Sequence, residues 1–433
     1  MKNCLVIGGG FAGLSAAVNL SHKGFKVTLI EASPRLGGRA YSLFNSKHND
    51  FFDNGQHIMM GCYNATLNFL KKIDALDKVN FPDSLKINYV DKGGKIYKLS
   101  SSTFFYPMNL IYAFMKFPAI SLKSRLQVIK LLAEVLLFDN NSDDNFTVEE
   151  WLKRKNQSKE SIKTFWEILT VGALNARIEE ASAKIFKEVL KRIFSSSKSS
   201  LILVPIADLT NLYVKDSEKF IKERGGEIIT SERVLKFIVE KEIIEKIVTD
   251  KNTYENFDFI ISAVQSHSLR KIKIENSKSY KDFSFIPEFN YSPILNVHLW
   301  LSHNPFSEKF YGLIDSNIHW VFNHNEHITL TTSAANKIIN LKNEELLELI
   351  YSELERYFPI FKSEIVIDYK IIKEKRATFI PDIHSLNVRK RILTPFENLV
   401  IAGDWTVSDL PSTIESAVMS GYIATEKIIF SIK

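Results

Sequence analysis

Residues 5–13 read Leu-Val-Ile-Gly-Gly-Gly-Phe-Ala-Gly, and residues 25–31 read Phe-Lys-Val-Thr-Leu-Ile-Glu. Each stretch contains a short apolar run typical of a buried strand. The first run ends in a G-x-G-x-x-G pattern formed by Gly8, Gly10 and Gly13, and an apolar helical pattern follows before the second run. This order of strand, glycine turn, helix, strand and acid predicts a Rossmann-like unit that binds a dinucleotide.

Each residue of this motif has a physical role in that prediction. Gly8 allows the tight turn, Gly10 lets the backbone approach a pyrophosphate, and Gly13 lets the helix pack closely on the strand. Ala12 lies in the first turn of the helix, whose free N–H groups and positive dipole end face the phosphates. Glu31 can accept hydrogen bonds from both hydroxyls of an adenosine ribose. An acid there disfavours a 2′-phosphate, so NADP is not the expected ligand.

The motif extends beyond the second strand, where residues 31–40 read Glu-Ala-Ser-Pro-Arg-Leu-Gly-Gly-Arg-Ala. The paired glycines suit another close backbone approach, and Arg39 can offer a forked donor to a phosphate. This extended form resembles the flavoprotein family of amine oxidases, protoporphyrinogen oxidases and carotenoid desaturases. The resemblance implies FAD as the cofactor. Because no cysteine follows Cys62, we expect the flavin to be held non-covalently.

The C-terminal region carries a matching half of the predicted FAD site. Residues 399–406 form an apolar strand that runs into Gly403 and Asp404, and the last helix begins near Thr413 and Ile414. The N-terminus of that helix can face the N1–C2=O2 end of a flavin and stabilise its anionic reduced form. We expect Asp404 to hold the ribityl chain or to bridge to the pyrophosphate.

The middle of the chain fits the same arrangement. The segments 225–230 and 233–235 read as paired strands, and the resemblance implies that the backbone of Val234 meets the adenine. Residues 257–264 read as a strand that leads out of the nucleotide-binding unit. Other apolar patterns predict helices and a strand, and a polar run predicts a loop: helices over Ser121–Leu137, Ser161–Ala173 and Asn343–Tyr357, a strand over Ile294–Leu301, and a loop over 139–145.

These elements predict an α/β protein in which a FAD-binding Rossmann-like domain of the glutathione-reductase type is interleaved with an α+β substrate domain. The length of 433 residues suits two or three structural units. We expect a discontinuous FAD-binding domain made of residues 1–61, 202–265 and 393–433. The substrate domain is then made of residues 62–201, largely helical by pattern, and 266–392.

Several segments narrow the resemblance to the squalene-associated desaturases, the hydroxysqualene dehydroxylases. They are Asp-Asn-Gly-Gln-His at 53–57 with Gly-Cys-Tyr at 61–63, Val-His-Leu-Trp at 297–300, Glu-Lys-Arg-Ala-Thr-Phe at 374–379, Ala-Gly-Asp-Trp-Thr at 402–406, and the run 410–421. The sequence departs from the family pattern where Lys390 follows Arg389 and at Asp409 and Ser416.

The resemblance implies reductive dehydroxylation of hydroxysqualene to squalene, with hydride donated by N5 of reduced flavin. Protonation of an allylic alcohol lets it leave as water, so such a reaction needs a general acid and a dry apolar site. We expect Gly55 and Gln56 to contact the flavin and His57 to be a candidate acid, with a purely structural role for His57 kept open. Glu415 is an alternative acid.

Three other functions remain open at this point. A carotenoid desaturase or isomerase would use oxidised flavin on a similar polyene. A flavin amine oxidase often uses a lysine near N5. A binding module of the Rab-escort type would keep the fold without redox chemistry, but it would tolerate loss of Glu31, Arg39 or Asp404, and all three are present.

Composition bounds the partners. The chain is 45% hydrophobic and 24% charged, which excludes a disordered chain, a collagen-like repeat and a coiled coil. Two cysteines are too few for a disulfide framework or a thiolate zinc site, and no metal is expected. The net charge of +6 is scattered in short blocks, so nucleic acid is not an expected partner. The expected partner is a long apolar isoprenoid, and the sequence does not identify the electron donor.

Aromatic residues make up 12% of the chain, which suits either a large core or a wide apolar cavity. The run 104–120, Phe-Phe-Tyr-Pro-Met-Asn-Leu-Ile-Tyr-Ala-Phe-Met-Lys-Phe-Pro-Ala-Ile, is broken by two prolines and is too short to span a bilayer. It reads as a core helix or as a hydrophobic lip at a membrane interface. Without a targeting segment, the expected location is the cytoplasm, with peripheral contact at the inner membrane face kept open.

Overall fold

The computed structural model describes residues 2–138 and 145–432. The predicted loop over 139–145 lies, except for Asn145, outside the described residues. The strands are β1 Asn3–Ile7, β2 Lys26–Ile30, β3 Ser42–Asn45, β4 Asp50–Asp53, β5 Met59–Met60, β6 Val79–Asn80, β7 Lys86–Val90, β8 Ile96–Ser100, β9 Ile202–Pro205, β10 Glu227–Ile229, β11 Val234–Glu240, β12 Ile243–Thr249, β13 Thr253–Tyr254, β14 Phe259–Ser262, β15 Lys273–Glu275, β16 Tyr291–Leu301, β17 Phe310–Leu313, β18 Trp320–Asn323, β19 His327–Ser333, β20 Val366–Phe379 and β21 Leu399–Ile401. The helices are α1 Phe11–His22, α2 Asn64–Lys72, α3 Met108–Met115, α4 Leu122–Leu137, α5 Val148–Arg154, α6 Lys159–Ser161, α7 Glu167–Leu174, α8 Ala183–Ile193, α9 Lys215–Lys222, α10 Ser266–Leu269, α11 Asn343–Tyr357, α12 Ile383–Arg389 and α13 Ile414–Ile432.

A parallel sheet with the strand order β10-β2-β1-β14-β21 lies at the centre of the half that the sequence predicts to bind a dinucleotide. Its strands are short and largely buried, as a sheet covered on both faces requires. The α1 helix connects β1 to β2, so the predicted strand-turn-helix-strand unit is confirmed. The strands come from both chain ends and from the middle of the chain, while the exact domain boundaries stay a prediction.

The first and last helices pack closely against each other beside this sheet. A Cβ on Gly421 of α13 would lie 2.3 Å from the carbonyl oxygen of Ala12 in α1. The hydroxyl of Ser15 donates a hydrogen bond to the carbonyl of Val418 over 2.9 Å. This close crossing brings the two halves of the predicted cofactor motif together, although they are separated by almost the whole chain.

The second half is built on a mixed sheet with the order β20-β16-β19-β18-β17-β7-β8. Apolar residues of β16 point to one face and pack with α11 into one core cluster. Since side chains alternate along a strand, Asn296, His298 and Trp300 lie on the opposite face. The β3–β4 hairpin covers that face, because Phe52 of β4 contacts the rings of His298 and Trp300 at 4.8 and 5.4 Å.

One expectation from the sequence differs from the structure, and another is incomplete. The segment 62–201 is largely helical, as its pattern predicts, and it also contributes the β7–β8 hairpin, which joins the mixed sheet beside β17. The strands β10 and β11 do not pair with each other. The chain turns at Ser231, whose φ is 57°, so that β10 joins the parallel sheet and β11 joins a separate sheet with the order β13-β12-β11-β15. The helices predicted over Ser121–Leu137 and Asn343–Tyr357 are confirmed as α4 and α11.

Much of the aromatic excess packs the helical core. Trp151 and Trp166 are fully buried, and their rings contact each other and the ring of Phe186 at 6.2–6.4 Å. Phe114 is buried against Phe165, at 5.3 Å between ring centroids, and is therefore not part of an exposed lip. Composition alone could not separate this core from a substrate cavity.

Candidate functional site

The glycine turn at the start of α1 leaves no space for a side chain at Gly8 and Gly13, but it does leave space at Gly10. A Cβ on Gly13 would lie 1.8 Å from the carbonyl oxygen of Gly8, whose own φ is 103°. At Gly10 the nearest atoms to an added Cβ are Gly38 Cα at 3.7 Å and Gly37 O at 3.9 Å. The turn therefore has free space beside Gly10, next to the uncapped amides of α1. Such a cradle fits a phosphate group.

Glu31 lies beside this cradle at the end of β2. Its carboxylate accepts hydrogen bonds from the amides of Gly9 and Ser33, each over 2.7 Å. Its carbonyl accepts a hydrogen bond from the amide of Glu232 over 3.0 Å, which places Val234 two residues away along the chain. The structure thus brings Glu31 and the Val234 segment together, as the predicted ribose and adenine contacts require.

Arg39 and Asp404 join the two chain ends by an ion pair. Arg39 Nη2 donates to Asp404 Oδ1 over 2.5 Å, and Arg39 Nη1 donates to the carbonyl of Ala377 over 2.9 Å. The Ser412 hydroxyl donates to the other oxygen of Asp404. Burial acts to raise the pKa of Asp404, but the Arg39 guanidinium and the Ser412 hydroxyl outweigh it and hold that pKa below its usual value.

The N-terminus of α13 begins directly after this pair. The hydroxyl of Thr413 accepts a hydrogen bond from the amide of Ser416 over 3.2 Å, so Thr413 caps the helix that starts at Ile414. Gly403 has a φ of 141°, and a Cβ there would lie 2.6 Å from Trp405 Nε1. Asp404 is therefore presented beside the helix start by a turn that requires glycine.

The segment that carries Gly55, Gln56 and His57 lies between the two halves. Asn296 of β16 donates from Nδ2 to the carbonyl of Asn54 over 3.2 Å and lies against the Gly55 backbone. Within residues 2–138 and 145–432, the predicted cofactor residues thus form two groups. One lies around the glycine cradle and the Arg39–Asp404 pair, and the other includes Gly55, which contacts Asn296 of the mixed sheet.

Whole-chain comparisons agree with this geometry. The model of the flavin-containing amine oxidoreductase family matches residues 11–429. The chain belongs to this family. A hydroxysqualene dehydroxylase from Zymomonas mobilis is 27% identical, over 97% of this chain and 97% of that protein. A 15-cis-phytoene desaturase from an Oncidium hybrid is 22% identical, over 98% of this chain and 77% of its own length. The crystal structure of an oxidoreductase from Methanosarcina mazei superposes with a TM-score of 0.77 at 18% identity, covering 98% of this chain and all of that one.

As a member of the flavin-containing amine oxidoreductase family, the protein is an FAD-dependent oxidoreductase of α/β fold. The open space beside Gly10, the acid at Glu31 and the uncapped start of α1 fit the diphosphate and ribose of FAD. The individual contacts of Gly8, Ala12, Gly13, Arg39, Val234, Gly403, Asp404, Thr413 and Ile414 with FAD stay predictions.

His57 is uncharged at neutral pH. Burial lowers its pKa from 6.5 to about 4, although a 2.7 Å contact of Nδ1 with the carbonyl of Gly55 opposes this shift. A carbonyl only accepts, so Nδ1 carries the hydrogen and Nε2 is left as an acceptor. At neutral pH this arrangement gives His57 no proton to donate from Nε2, which disfavours the predicted role of general acid.

Glu415, the alternative acid, is used by a neighbouring helix. Its carboxylate accepts hydrogen bonds from the amides of Ala65 and Thr66, each over 2.9 Å, and from the Thr66 hydroxyl over 2.8 Å. These donors belong to the first turn of α2, which leaves such amides without partners inside the helix. The carboxylate of Glu415 therefore caps α2 and docks it onto α13.

Asp53, just before the Gly55 segment, shares a hydroxyl with a second acid. The Ser42 hydroxyl oxygen lies 2.9 Å from Asp53 Oδ1 and 2.8 Å from Asp208 Oδ1. One hydroxyl hydrogen can serve only one of these carboxylates. Burial raises the pKa of Asp53 from 3.8 to about 7, while donors from Leu209 and Ser42 partly oppose the shift. Asp53 thus retains a proton near neutral pH, a feature that the sequence motif did not reveal.

This raised pKa predicts a pH-dependent stability. A carboxyl whose pKa is higher in the folded state than in the unfolded state loses stabilisation as the pH rises through the folded value. Between pH 5.5 and 8, we expect the wild type to lose about 2 kcal/mol of unfolding free energy relative to Asp53→Asn. Urea unfolding at both pH values measures the difference. The exposed Asp83→Asn control should follow the wild type, and equal pH profiles for all three proteins would contradict the raised pKa of Asp53.

Arg389 was not predicted as a residue of the site, and it was named only because Lys390, which follows it, departs from the family pattern. Its side chain is buried and donates to the carbonyls of Val407, Ser408 and Leu410 over 2.7–2.8 Å. These carbonyls form the loop between Asp404 and the start of α13. Backbone carbonyls leave no trace in a sequence pattern, so only the folded chain shows that Arg389 positions this loop.

Proposed function

We propose that the protein reductively dehydroxylates hydroxysqualene to squalene. This proposal rests on the full-length similarity to a protein named hydroxysqualene dehydroxylase. It is supported by the Asp-Asn-Gly-Gln-His segment at 53–57, which contacts β16 of the mixed sheet through Asn54. The reaction consumes the alcohol, one proton and one hydride, and it releases squalene and water. When bound, reduced FAD supplies the hydride.

The chain's own residues supply the surroundings of that reaction. Arg39 and Asp404 join the chain ends at the predicted ribityl and phosphate positions, and Arg389 holds the loop that leads into α13. Of the titratable groups in the 53–57 segment, Asp53 holds a proton near neutral pH whereas His57 does not. We therefore assign proton storage to the Asp53–Ser42–Asp208 arrangement rather than to His57.

A direct assay tests the proposal. Purified protein, reduced with dithionite in the absence of oxygen, is incubated with hydroxysqualene, and the extract is examined for squalene by mass spectrometry. Formation of squalene that depends on the protein is the expected result. Absence of squalene under conditions where the bound flavin is reoxidised by another substrate would overturn it.

Phytoene desaturation is the second candidate function. It is favoured by the similarity to a 15-cis-phytoene desaturase over 98% of this chain. Both reactions need an apolar site for a long isoprenoid, so the fold does not separate them. Turnover of phytoene by the oxidised protein, together with inactivity towards hydroxysqualene, would establish the desaturase function instead.

We also propose that the protein takes its substrate from a membrane surface. Phe104 and Phe105 are 57% and 76% exposed, and Met108 and Tyr112 on the adjoining α3 are exposed as well. Phe104 and Tyr112 contact each other edge to face at 5.7 Å. Within the described residues, no helix combines the length and apolarity needed to cross a bilayer. We call the segment 104–112 the apolar lip, and it suits insertion into a lipid interface.

The lip gives a measurable prediction. The double variant Phe104→Ser with Phe105→Ser removes two exposed aromatic rings, so we expect its partition onto phospholipid vesicles to fall about tenfold or more. Co-sedimentation with vesicles measures the bound fraction. Leu393→Ser, which removes a side chain that is 79% exposed outside the lip, is the matched control and should bind like the wild type. Equal binding by all three proteins would refute the lip.

A further inference from the structure

Buried histidines gather on the face of β16 that the β3–β4 hairpin covers. His298 and Trp300 of β16 are 1% and 2% exposed, and His327 of β19 is 4% exposed. The ring of His327 lies 5.8 Å from that of His298, 5.2 Å from that of Trp300 and 4.6 Å from that of His324. We call these four residues the histidine cluster.

The cluster concentrates polar atoms without hydrogen-bond partners. In the part of the chain that the structure describes, His298 Nε2, His324 Nε2 and Trp300 Nε1 are buried and have no partner, whereas His327 Nδ1 faces the Asp50 carboxylate at 3.1 Å. Buried polar groups in folded proteins are nearly always hydrogen-bonded, either to protein or to a bound molecule. Three such atoms within one ring cluster therefore indicate a ligand that supplies the missing hydrogen bonds.

The chemistry of the cluster selects the kind of ligand. Burial lowers the pKa of His327 to about 4 and that of His324 to about 3, and it also lowers the pKa of His298, so the rings are uncharged at neutral pH. Neutral rings give an anion no charge to bind. No group of three His, Cys, Asp or Glu among residues 2–138 and 145–432 is arranged to hold a metal ion. Neutral imidazoles offer both donors and acceptors, and the indole offers a donor, which together suit a hydroxyl group.

The position of the cluster links it to the predicted flavin segment. Asn296, which contacts the Asn54 carbonyl and the Gly55 backbone, lies two residues before His298 on the same face of β16. Two residues of strand span about 6.6 Å. The Thr329 hydroxyl lies 2.9 Å from His298 Nδ1, so when that hydroxyl donates, Nε2 of His298 carries the hydrogen and can donate to a ligand.

We propose that the histidine cluster is a hydroxyl-binding site, with His298 Nε2 and Trp300 Nε1 as its central atoms. Its ligand is either the hydroxyl of an isoprenoid alcohol or a water molecule. When the ligand is the alcohol, and resting on the proposed function, the site orients the carbon–oxygen bond that breaks. The site thereby distinguishes the alcohol from the hydrocarbon that results from the reaction. Neither the family nor the sequence motifs assign a role to these residues.

Affinity for matched alcohol and hydrocarbon pairs tests the site. The wild type should bind hydroxysqualene about tenfold more tightly than squalene, and farnesol more tightly than farnesene, since one buried hydrogen bond contributes about that factor. His298→Asn keeps a polar atom near Nδ1 and removes Nε2, so both preferences should disappear while squalene binding stays unchanged. His319→Asn makes the same change at a half-buried histidine outside the cluster and should keep both preferences.

Histidine-selective NMR separates the two sources of the hydroxyl and guards against misfolding. Contacts between water and the His298 ring that vanish when hydroxysqualene binds identify the substrate hydroxyl as the ligand. Contacts that persist, without any preference for the alcohols, identify bound water. Preferences retained by His298→Asn, or a His298 ring that contacts neither water nor alcohol, would overturn the proposal. If hydroxysqualene is bound preferentially but never converted, the proposed function fails and the hydroxyl site stands.

Discussion

Replacement of Gly13 by alanine should give a protein that retains about a tenth or less of the wild-type FAD. The added Cβ would lie 1.8 Å from the Gly8 carbonyl oxygen, far inside van der Waals contact. The obstacle is backbone, so no side chain can rotate away, and α1 must move off β1. That movement dismantles the phosphate cradle. Flavin absorbance per mole of protein after gel filtration measures the loss.

Gly10→Ala is the second variant of this experiment, and it tests the position of the diphosphate without disturbing the fold. The nearest atoms to its Cβ lie at 3.7 Å, an ordinary contact, so the variant should fold with unchanged stability. Its methyl group nevertheless occupies the space that we assign to the diphosphate, so we expect weaker FAD binding. Gly93→Ala, on an exposed turn, should keep its flavin. A Gly10→Ala protein with full flavin content would place the diphosphate elsewhere.

Replacement of Arg389 by methionine should destabilise the protein by about 3 kcal/mol or more and lower its flavin content. The guanidinium donates to three carbonyls of the 407–410 loop, and each carbonyl left buried without a donor costs about 1–3 kcal/mol. Methionine retains much of the apolar volume, which confines the effect to the lost hydrogen bonds. Chemical unfolding and flavin retention are the two measurements.

Two further variants separate positioning from bulk effects. Arg391→Met removes an exposed arginine two residues away and should change neither quantity. Arg389→Lys retains the charge but offers one nitrogen to three carbonyls, so it should recover only part of the stability. If Arg389→Met unfolds normally but loses flavin, the loop serves the cofactor alone. Normal stability and normal flavin content together would show that the loop does not depend on Arg389.

The glycine motif was readable from the sequence because each glycine answers a local steric demand. Gly8 needs a positive φ and Gly13 a close approach, and both demands act within a few residues. The ion pair between Arg39 and Asp404 was not predicted, because the sequence motifs assigned each residue to the cofactor and not to the other. The β7–β8 hairpin was not predicted for a similar reason, because an edge hairpin is determined by the sheet that it joins.

The histidine cluster could not be predicted from the sequence. His298 and Trp300 are two residues apart in a predicted strand, which reveals that they share a face but not what covers it. His324 lies in the turn between β18 and β19, and His327 is the first residue of β19. Their neutral state follows from burial, which is a property of the assembled sheet and hairpin. The doubtful role of His57 follows from the same cause, since its pKa near 4 reflects desolvation rather than residue type.

The tight crossing of α1 and α13 has a consequence for how the protein is made. The Ser15–Val418 hydrogen bond spans 403 positions, so the glycine cradle and the C-terminal helix meet only after nearly every other element has left the ribosome. Contacts of such long range form slowly. Cofactor capture is therefore expected as a late step of biogenesis, after synthesis of the polypeptide is nearly complete.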